Sequence, residues 1–280
     1  MIANSKASGA SGDLFGRNAA AACVAIPADG DDKYSRGVVG FVTGSPRYPG
    51  AAVLGVEAAL HVGVGMVRYL GPGRATRLVL QRRPEVVTVE GRVQAWVLGS
   101  GWDPVVRRDE LSNMVLEPAL ADTVPKVLDA GALDLWGQVG GPVVLTPHAG
   151  ELARLLDVTR DDIVEDREAA VRKAAADFGA VVLLKGAETL VASPDGAILR
   201  VRNATPWLAT AGAGDALAGI LGSLLATHSD ATDLAPFAAA AAWIHGEAAR
   251  RASAGGPFTI LDLCAALPAV VADLAGSMSA

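Results

Sequence analysis

Residues 38–62 read VVGFVTGSPRYPGAAVLGVEAALHV. Val38 to Thr43 is a run of apolar and β-branched residues without polar alternation, the pattern of a strand buried on both faces. Gly44-Ser45-Pro46 ends the run, Pro49-Gly50 opens a new element, and Ala51 to Val62 has the composition of a buried helix. The same unit repeats outward along the chain. Met66 to Leu70, Val86 to Val89, Ala95 to Gly99, Lys126 to Asp129, Val143 to Thr146 and Val181 to Lys185 are further strand candidates. Helical stretches such as Glu151 to Leu156 and Asp161 to Phe178 lie between them. This alternation predicts an α/β fold with a mostly parallel central sheet and helices on both faces. After Lys185 the pattern changes: Thr189 to Ala192, the turn Ser193-Pro194-Asp195-Gly196 and Ala197 to Val201 read as a β-hairpin, followed by a helix-rich C-terminal part.

The 280 residues suffice for one large α/β domain, and 51% hydrophobic against 19% charged excludes a disordered or fibrous chain. A net charge of −6 and a pI of 5.2 argue against a nucleic-acid binder, and 5% aromatics give little for base stacking. Cys23 and Cys264 match no disulfide or metal spacing, so a reducing cytoplasm is the expected setting. Mean hydropathy is positive, but the longest apolar runs, Ala216 to Ala226 and Ala235 to Ile244, are far shorter than the roughly 18 residues of a span. They read as buried helices, with no membrane partner. Residues 1–32 carry Asp13, Asp29, Asp31 and Asp32 in place of the basic region and cleavage site of a signal peptide. They read as a flexible tail, partly ordered at best, ahead of one domain over 33–280.

In an open parallel sheet, ligands bind where the carboxyl ends of the strands lead into helices. Four such loops stand out: Gly44-Ser45-Pro46 with Pro49-Gly50-Ala51; Gly99-Ser100-Gly101; Thr146 to Glu151; and Lys185-Gly186-Ala187-Glu188-Thr189. A fifth, Thr210-Ala211-Gly212-Ala213-Gly214-Asp215, runs into the apolar helix from Ala216. Small residues let its backbone approach a ligand closely, and the first N–H groups of a helix have no internal partner. Gly212, Ala213 and Gly214 thus form a candidate anion hole, with Asp215 placed to accept a proton from a hydroxyl. On these residues alone, Asp215 is equally an ordinary helix cap. His148 is either a ligand contact or a backbone cap at a helix entry. Lys185 is either a solvated strand-end lysine or, as its place after four apolar residues and before a glycine favours, a contact to nucleotide phosphates. Asp129 is either a turn cap or a ligand or magnesium contact. His61 and His245 read as packing or surface residues, and Asp161 to Arg172 as a solvated helix face with i,i+4 pairs. Walker A, dinucleotide-fingerprint, zinc and serine-hydrolase motifs are all absent.

Gly212-Ala213-Gly214-Asp215 at the head of an apolar helix resembles the anion-hole motif of ribokinase-like small-molecule kinases. Other blocks narrow the likeness to the ADP-dependent NAD(P)H-hydrate dehydratases. These are Lys33 to Val38 with Thr43-Gly44-Ser45 and Pro49 to Ala52; Leu145 to Glu151, similar to Leu-Thr-Pro-His-Pro-Gly-Glu; Leu183 to Thr189; and Asn203 to Gly219. The likeness covers about residues 33–275. Four departures stand out. The family's Thr-Gly-Gly-x-Gly-Asp is Thr210 to Asp215 with Ala211, its Gly-Pro-Gly-Leu is Gly99-Ser100-Gly101-Trp102, Ala149 replaces a proline, and Trp207 replaces a small residue.

The resemblance implies a ribokinase-like three-layer sandwich that restores NADH and NADPH from (S)-NADHX and (S)-NADPHX, with ADP as phosphoryl donor and Mg2+ as cofactor. Phosphoryl transfer to the C6 hydroxyl turns a poor leaving group into a good one, and elimination of phosphate follows. It assigns Ala51, Gly101, His148 and Asp215 to the hydrated cofactor. Lys185, Gly186, Ala187, Glu188, Thr189 and Gly214 go to the nucleotide, with the magnesium ligands unassigned. It also implies a homotetramer and a separate epimerase partner, since residues 1–32 are too few to form the epimerase domain often fused ahead of this module. A vitamin-precursor kinase of the same fold, kept open by Ala211, and a non-catalytic nucleotide binder are the alternatives.

Overall fold

The apolar runs become strands because alternate side chains enter two separate cores. In the computed structural model, which describes residues 13–102 and 110–277, Val39, Phe41, Val97, Val144 and Leu183 face one core and Val38, Leu98, Leu128, Leu145 and Leu184 the other. In chain order the elements are β1 (Asp13–Leu14), α1 (Arg17–Ala21), β2 (Val38–Val42), α2 (Gly50–Val62), β3 (Met66–Tyr69), α3 (Gly73–Arg82), β4 (Ala95–Leu98), α4 (Glu110–Ala121), β5 (Lys126–Leu128), β6 (Val143–Leu145), α5 (Ala149–Leu156), α6 (Arg160–Glu165) and α7 (Arg167–Phe178). There follow β7 (Val181–Leu184), β8 (Thr189–Ala192), β9 (Ile198–Val201), α8 (Ala213–Thr227), α9 (Ala235–Ser253) and α10 (Ile260–Gly276). Among the described residues there are also two 3-10 segments, Ala130–Gln138 and Pro206–Leu208.

The nine strands among the described residues form one sheet in the order β1-β9-β8-β7-β6-β5-β4-β2-β3. Pairing is parallel from β3 through β7, antiparallel through the β7–β8–β9 meander, and parallel again between β9 and β1. Helices α1, α2, α8, α9 and α10 belong to the first core, and α5, α6, α7 and the Ala130–Gln138 segment to the second. This is the expected three-layer α/β sandwich. Helices α2 and α8 cross so closely that a Cβ on Gly219 would lie 2.1 Å from the Gly55 carbonyl oxygen. Behind α2, the buried Glu57 carboxylate accepts from Arg82 (Nη2 to Oε1, 3.0 Å) and Arg83 (Nε to Oε2, 2.6 Å). The two guanidiniums hold it below the usual glutamate range even though burial pushes it up.

Three expectations change. Val86 to Val89 is not a strand: only Val87 bridges β3, through Val87 N to Val67 O (3.0 Å) and Tyr69 N to Val87 O (2.9 Å). The Arg68 guanidinium draws the next turn aside by donating to the carbonyls of Val89, Glu90 and Arg92. Asp161 to Phe178 is two helices, because the Asp166 carboxylate caps α7 by accepting from Ala169 N (2.9 Å). Of the tail, residues 13–24 are ordered domain structure. Asp13 pairs with Leu199 and Leu14 with Arg200, while Phe15, Ala20, Cys23 and Val24 enter the first core. Residues 25–32 stay exposed, and 1–12 lie outside the described residues. Among the described residues no helix is long and apolar enough to cross a membrane.

Candidate functional site

The strand order reverses beside β2, since β3 lies on one side of it and β4 on the other. The loops leaving β2 and β4 therefore diverge at the carboxyl edge of the sheet and open a crevice there. Both turn through left-handed glycines, Gly44 at φ +72°, Gly99 at +97° and Gly101 at +73°. The expected neighbours Ala51 and Gly101 do meet: a Cβ on Gly101 would sit 2.5 Å from the Ala51 Cβ and 2.9 Å from the Tyr48 carbonyl oxygen. Tyr69, fully buried, donates its hydroxyl to the Thr43 carbonyl (2.6 Å) and fixes the end of β2.

Asp129, at the end of β5, is the polar centre of the crevice and only 2% exposed. Its carboxylate accepts from Ser100 Oγ (2.9 Å), Thr146 Oγ1 (2.8 Å) and Lys185 Nζ (2.9 Å). The ends of β4, β5, β6 and β7 are thereby joined through one side chain. A buried carboxylate needs such donors, because burying an unpaired charge costs several kcal/mol or more. Lys185 also lies 3.7 Å from Glu151 Oε2. Burial favours its neutral amine, yet the Asp129, Glu151 and Asp215 carboxylates outweigh that and hold it above the usual lysine value. Asp215, in the first turn of α8, shows the opposite balance. Burial and the Asp129 charge raise it to about 7, with Lys185 opposing. A carboxyl poised near neutrality suits a proton acceptor.

His148 sits at the entry to α5 and caps it. Its Nδ1 accepts from Gly150 N (3.0 Å) and Glu151 N (3.2 Å), while Glu151 Oε2 accepts from His148 N (2.7 Å), closing a capping box at α5. Burial, with Lys185 and Arg154, lowers the imidazole pKa against the pull of Glu151. An Nδ1 acceptor leaves the ring proton on Nε2, 3.4 Å from Glu151 Oε1.

Gly212, at φ +90°, caps α8. The first intrahelical bond runs from Ala216 N to the Gly212 carbonyl (3.1 Å), so the N–H groups of Gly214 and Asp215 precede the helical ladder, whereas Ala213 N, expected in the anion hole with Gly212 and Gly214, donates to the Thr210 carbonyl (3.4 Å). Beside this turn is a cavity of about 470 Å³, lined by Lys185, Gly186, Ala187, Thr189, Ala213 and Gly214 and closed by Val201, Asn203 to Pro206, Leu208, Ala209 and Leu217. Of the residues expected on the nucleotide side, Glu188 is the exception. It does not line the cavity, and its carboxylate accepts from Arg202 Nε (2.6 Å) and lies 3.6 Å from Arg200. Two residues were missed. His245 is buried and lines the cavity, its imidazole driven down to about 4 by burial against a hydrogen bond with the Ala213 backbone. Arg167, inside the stretch read as a solvated face, donates to the carbonyls of Leu184 (3.4 Å) and Glu188 (2.9 Å) and braces the Lys185 loop. Neither has a sequence signal beyond its position on a helix.

The family profile of the NAD(P)H-hydrate dehydratases matches residues 39–265. A bifunctional NAD(P)H-hydrate repair enzyme of Mycobacterium leprae is 43% identical over 237 residues, 80% of this chain and 48% of the relative. The chain spans about half the length of the mycobacterial relatives it matches. An ADP-dependent (S)-NAD(P)H-hydrate dehydratase of Neisseria meningitidis is 38% identical over 240 residues, 79% of each chain. Among solved structures, an ADP/ATP-dependent NAD(P)H-hydrate dehydratase of Bacillus subtilis, co-crystallised with ATP and Mg2+, superposes with a TM-score of 0.83. It is 25% identical and covers 93% of this chain and 98% of its own. The ribokinase-like sandwich is thus the fold of the chain.

Proposed function

The chain belongs to the NAD(P)H-hydrate dehydratase family, and from that premise we propose that it dehydrates (S)-NADHX and (S)-NADPHX to NADH and NADPH with ADP as phosphoryl donor. The observation that carries the reading is Asp215. It is a carboxyl raised to about 7, one turn inside a glycine-capped helix and next to a cavity that also holds Lys185. Asp215 takes the proton of the C6 hydroxyl as that oxygen bonds the β-phosphorus of ADP and the bond to AMP breaks. The N–H groups of Gly214 and Asp215 stabilise the charge on the transferred group. The C6–O bond then breaks, C5 loses a proton and phosphate leaves. Ala51, Gly101 and His148 form the hydrated-cofactor side of the crevice, and Lys185, Gly186, Ala187, Thr189 and Gly214 the nucleotide side.

Magnesium fits as a companion of the nucleotide. Among the described residues no group of three His, Cys, Asp or Glu could hold a metal unaided. Both Asp129 oxygens accept from donors and Glu151 Oε2 accepts from His148 N, so Glu151 Oε1 is the carboxylate oxygen that would meet an ion shared with the phosphates. Such an ion supplies charge neutralisation. A homotetramer and a separate epimerase belong to the proposal on the family resemblance alone, and a cytoplasmic setting on the two free cysteines, Cys23 and Cys264.

Incubation with ADP, Mg2+ and hydrated NADH, followed by the absorbance of restored dihydronicotinamide, tests the reaction. A stable phosphorylated product would indicate the kinase alternative. Lys185→Ala should raise KM for ADP by about tenfold or more through the loss of a charged phosphate contact, with KM for hydrated NADH changed far less. The reverse pattern would exchange the two sides of the site. The pH profile follows from Asp215: only the carboxylate accepts a proton, so kcat should climb about tenfold per pH unit below 7 and level off above it. A flat profile between pH 5 and 8 would remove Asp215 as the base.

A further inference from the structure

Both halves of the Gly44 peptide are held by the loop after β4. Gly44 N donates to the Ser100 carbonyl (2.7 Å), and the Gly44 carbonyl accepts from Trp102 Nε1 (3.0 Å). Trp102 is 9% exposed and sits in the second core, pressed from behind by Gly131, where a Cβ would come within 2.7 Å of the Trp102 Cβ. The Ser100 hydroxyl extends the stitch to Asp129 (2.9 Å). On the crevice side the same loop presents Gly101, and a Cβ there would lie 3.2 Å from Gly44 Cα and 2.5 Å from the Ala51 Cβ. Gly44, Gly101 and Ala51 are therefore one packed unit, whose position is set by hydrogen bonds from behind. Ser100 and Trp102 are also the two positions at which this loop departs from Gly-Pro-Gly-Leu, and neither proline nor leucine has a side-chain donor.

We propose that Trp102, assisted by Ser100, is a positioning residue that fixes the Ala51–Gly101 floor on the dinucleotide side of the crevice, acting through the Gly44 peptide without touching the ligand. This rests on the function proposed above. Without the indole N–H, a buried carbonyl loses its donor, and the left-handed turn at Gly44 is no longer tied to β4. The nucleotide cavity, built from the loops after β7 and before α8, shares neither bond to Gly44 and meets this stitch only through Asp129, which also accepts from Lys185 Nζ (2.9 Å).

The test is Trp102→Phe, which keeps aromatic bulk and removes only the donor. NADH binding is followed by its own fluorescence, ADP binding by titration calorimetry, and turnover by restored NADH. The dissociation constant for NADH and KM for hydrated NADH should each rise about tenfold, with ADP affinity unchanged within about twofold. Ser100→Ala should shift NADH binding in the same direction by a smaller factor. Wild-type NADH affinity in Trp102→Phe, or an equal loss of ADP affinity, overturns the inference. If Trp102→Phe does not fold, Ser100→Ala decides, and unchanged NADH affinity overturns it. A wild-type chain that binds neither NADH nor ADP overturns the proposed function itself.

Discussion

Asp215→Asn is expected to lower kcat about 10³-fold while leaving ADP affinity within about threefold of wild type. The amide has nearly the same shape but cannot take the hydroxyl proton, so the loss falls on the chemical step. Single-turnover assays with calorimetric ADP titration measure both quantities, and a variant retaining a tenth of the activity would end the assignment. The same substitution should affect stability in the opposite sense. The carboxyl of Asp215 titrates near 7 in the folded chain and near 3.8 when unfolded. Between these values the folded state keeps a proton that the unfolded state has lost, so stability declines as pH rises through that window. Asparagine removes this decline, and the variant should melt above wild type at pH 8.

Gly219→Ala is expected to destabilise the fold by about 3 kcal/mol, the upper end for overpacking a close interface. The added methyl would sit 2.1 Å from the Gly55 carbonyl oxygen and 2.8 Å from its carbon, and neither is a flexible side-chain end. Helices α2 and α8 would have to separate. Since α2 begins beside Ala51 and α8 carries Asp215, the separation would open the crevice as well. Thermal unfolding should show a fall of roughly 6–12 °C for a domain of this size. An unchanged melting temperature would show that the two helices can part freely.

How much of this could be read from the chain differs by kind of feature. Continuous apolar runs such as Val181 to Leu184 announce themselves, because a strand buried on both faces has few polar residues. Val86 to Val89 has the same composition, but Arg68, far away in sequence, captures its carbonyls and leaves one bridge. Residues 13–24 look like a tail because a two-residue strand and a five-residue helix are too short to generate periodicity. Their order comes from β9 and α9. In the site, Gly212 to Asp215 and Lys185 were legible because glycines at a helix entry and a lysine after an apolar strand are locally unusual. Asp129 was only half legible, since a carboxylate at a strand end caps turns as often as it holds ligands. Three donors arriving from three other loops put its carboxylate at the centre of the crevice, and no local spacing records them. His245 and Arg167 were invisible for the same reason.

The pairing of β1 with β9 has a consequence for how the chain is made. Asp13 finds its partner in Leu199, with nearly the whole sheet in between. During synthesis, β2 through β7 can assemble in order as each crossover helix appears. Strand β1, by contrast, has nowhere to dock until Leu199 and Arg200 have left the ribosome. Residues 13–24 are therefore among the last parts of the domain to be seated, and Phe15 and Val24 wait for their partners while β2 through β8 are made.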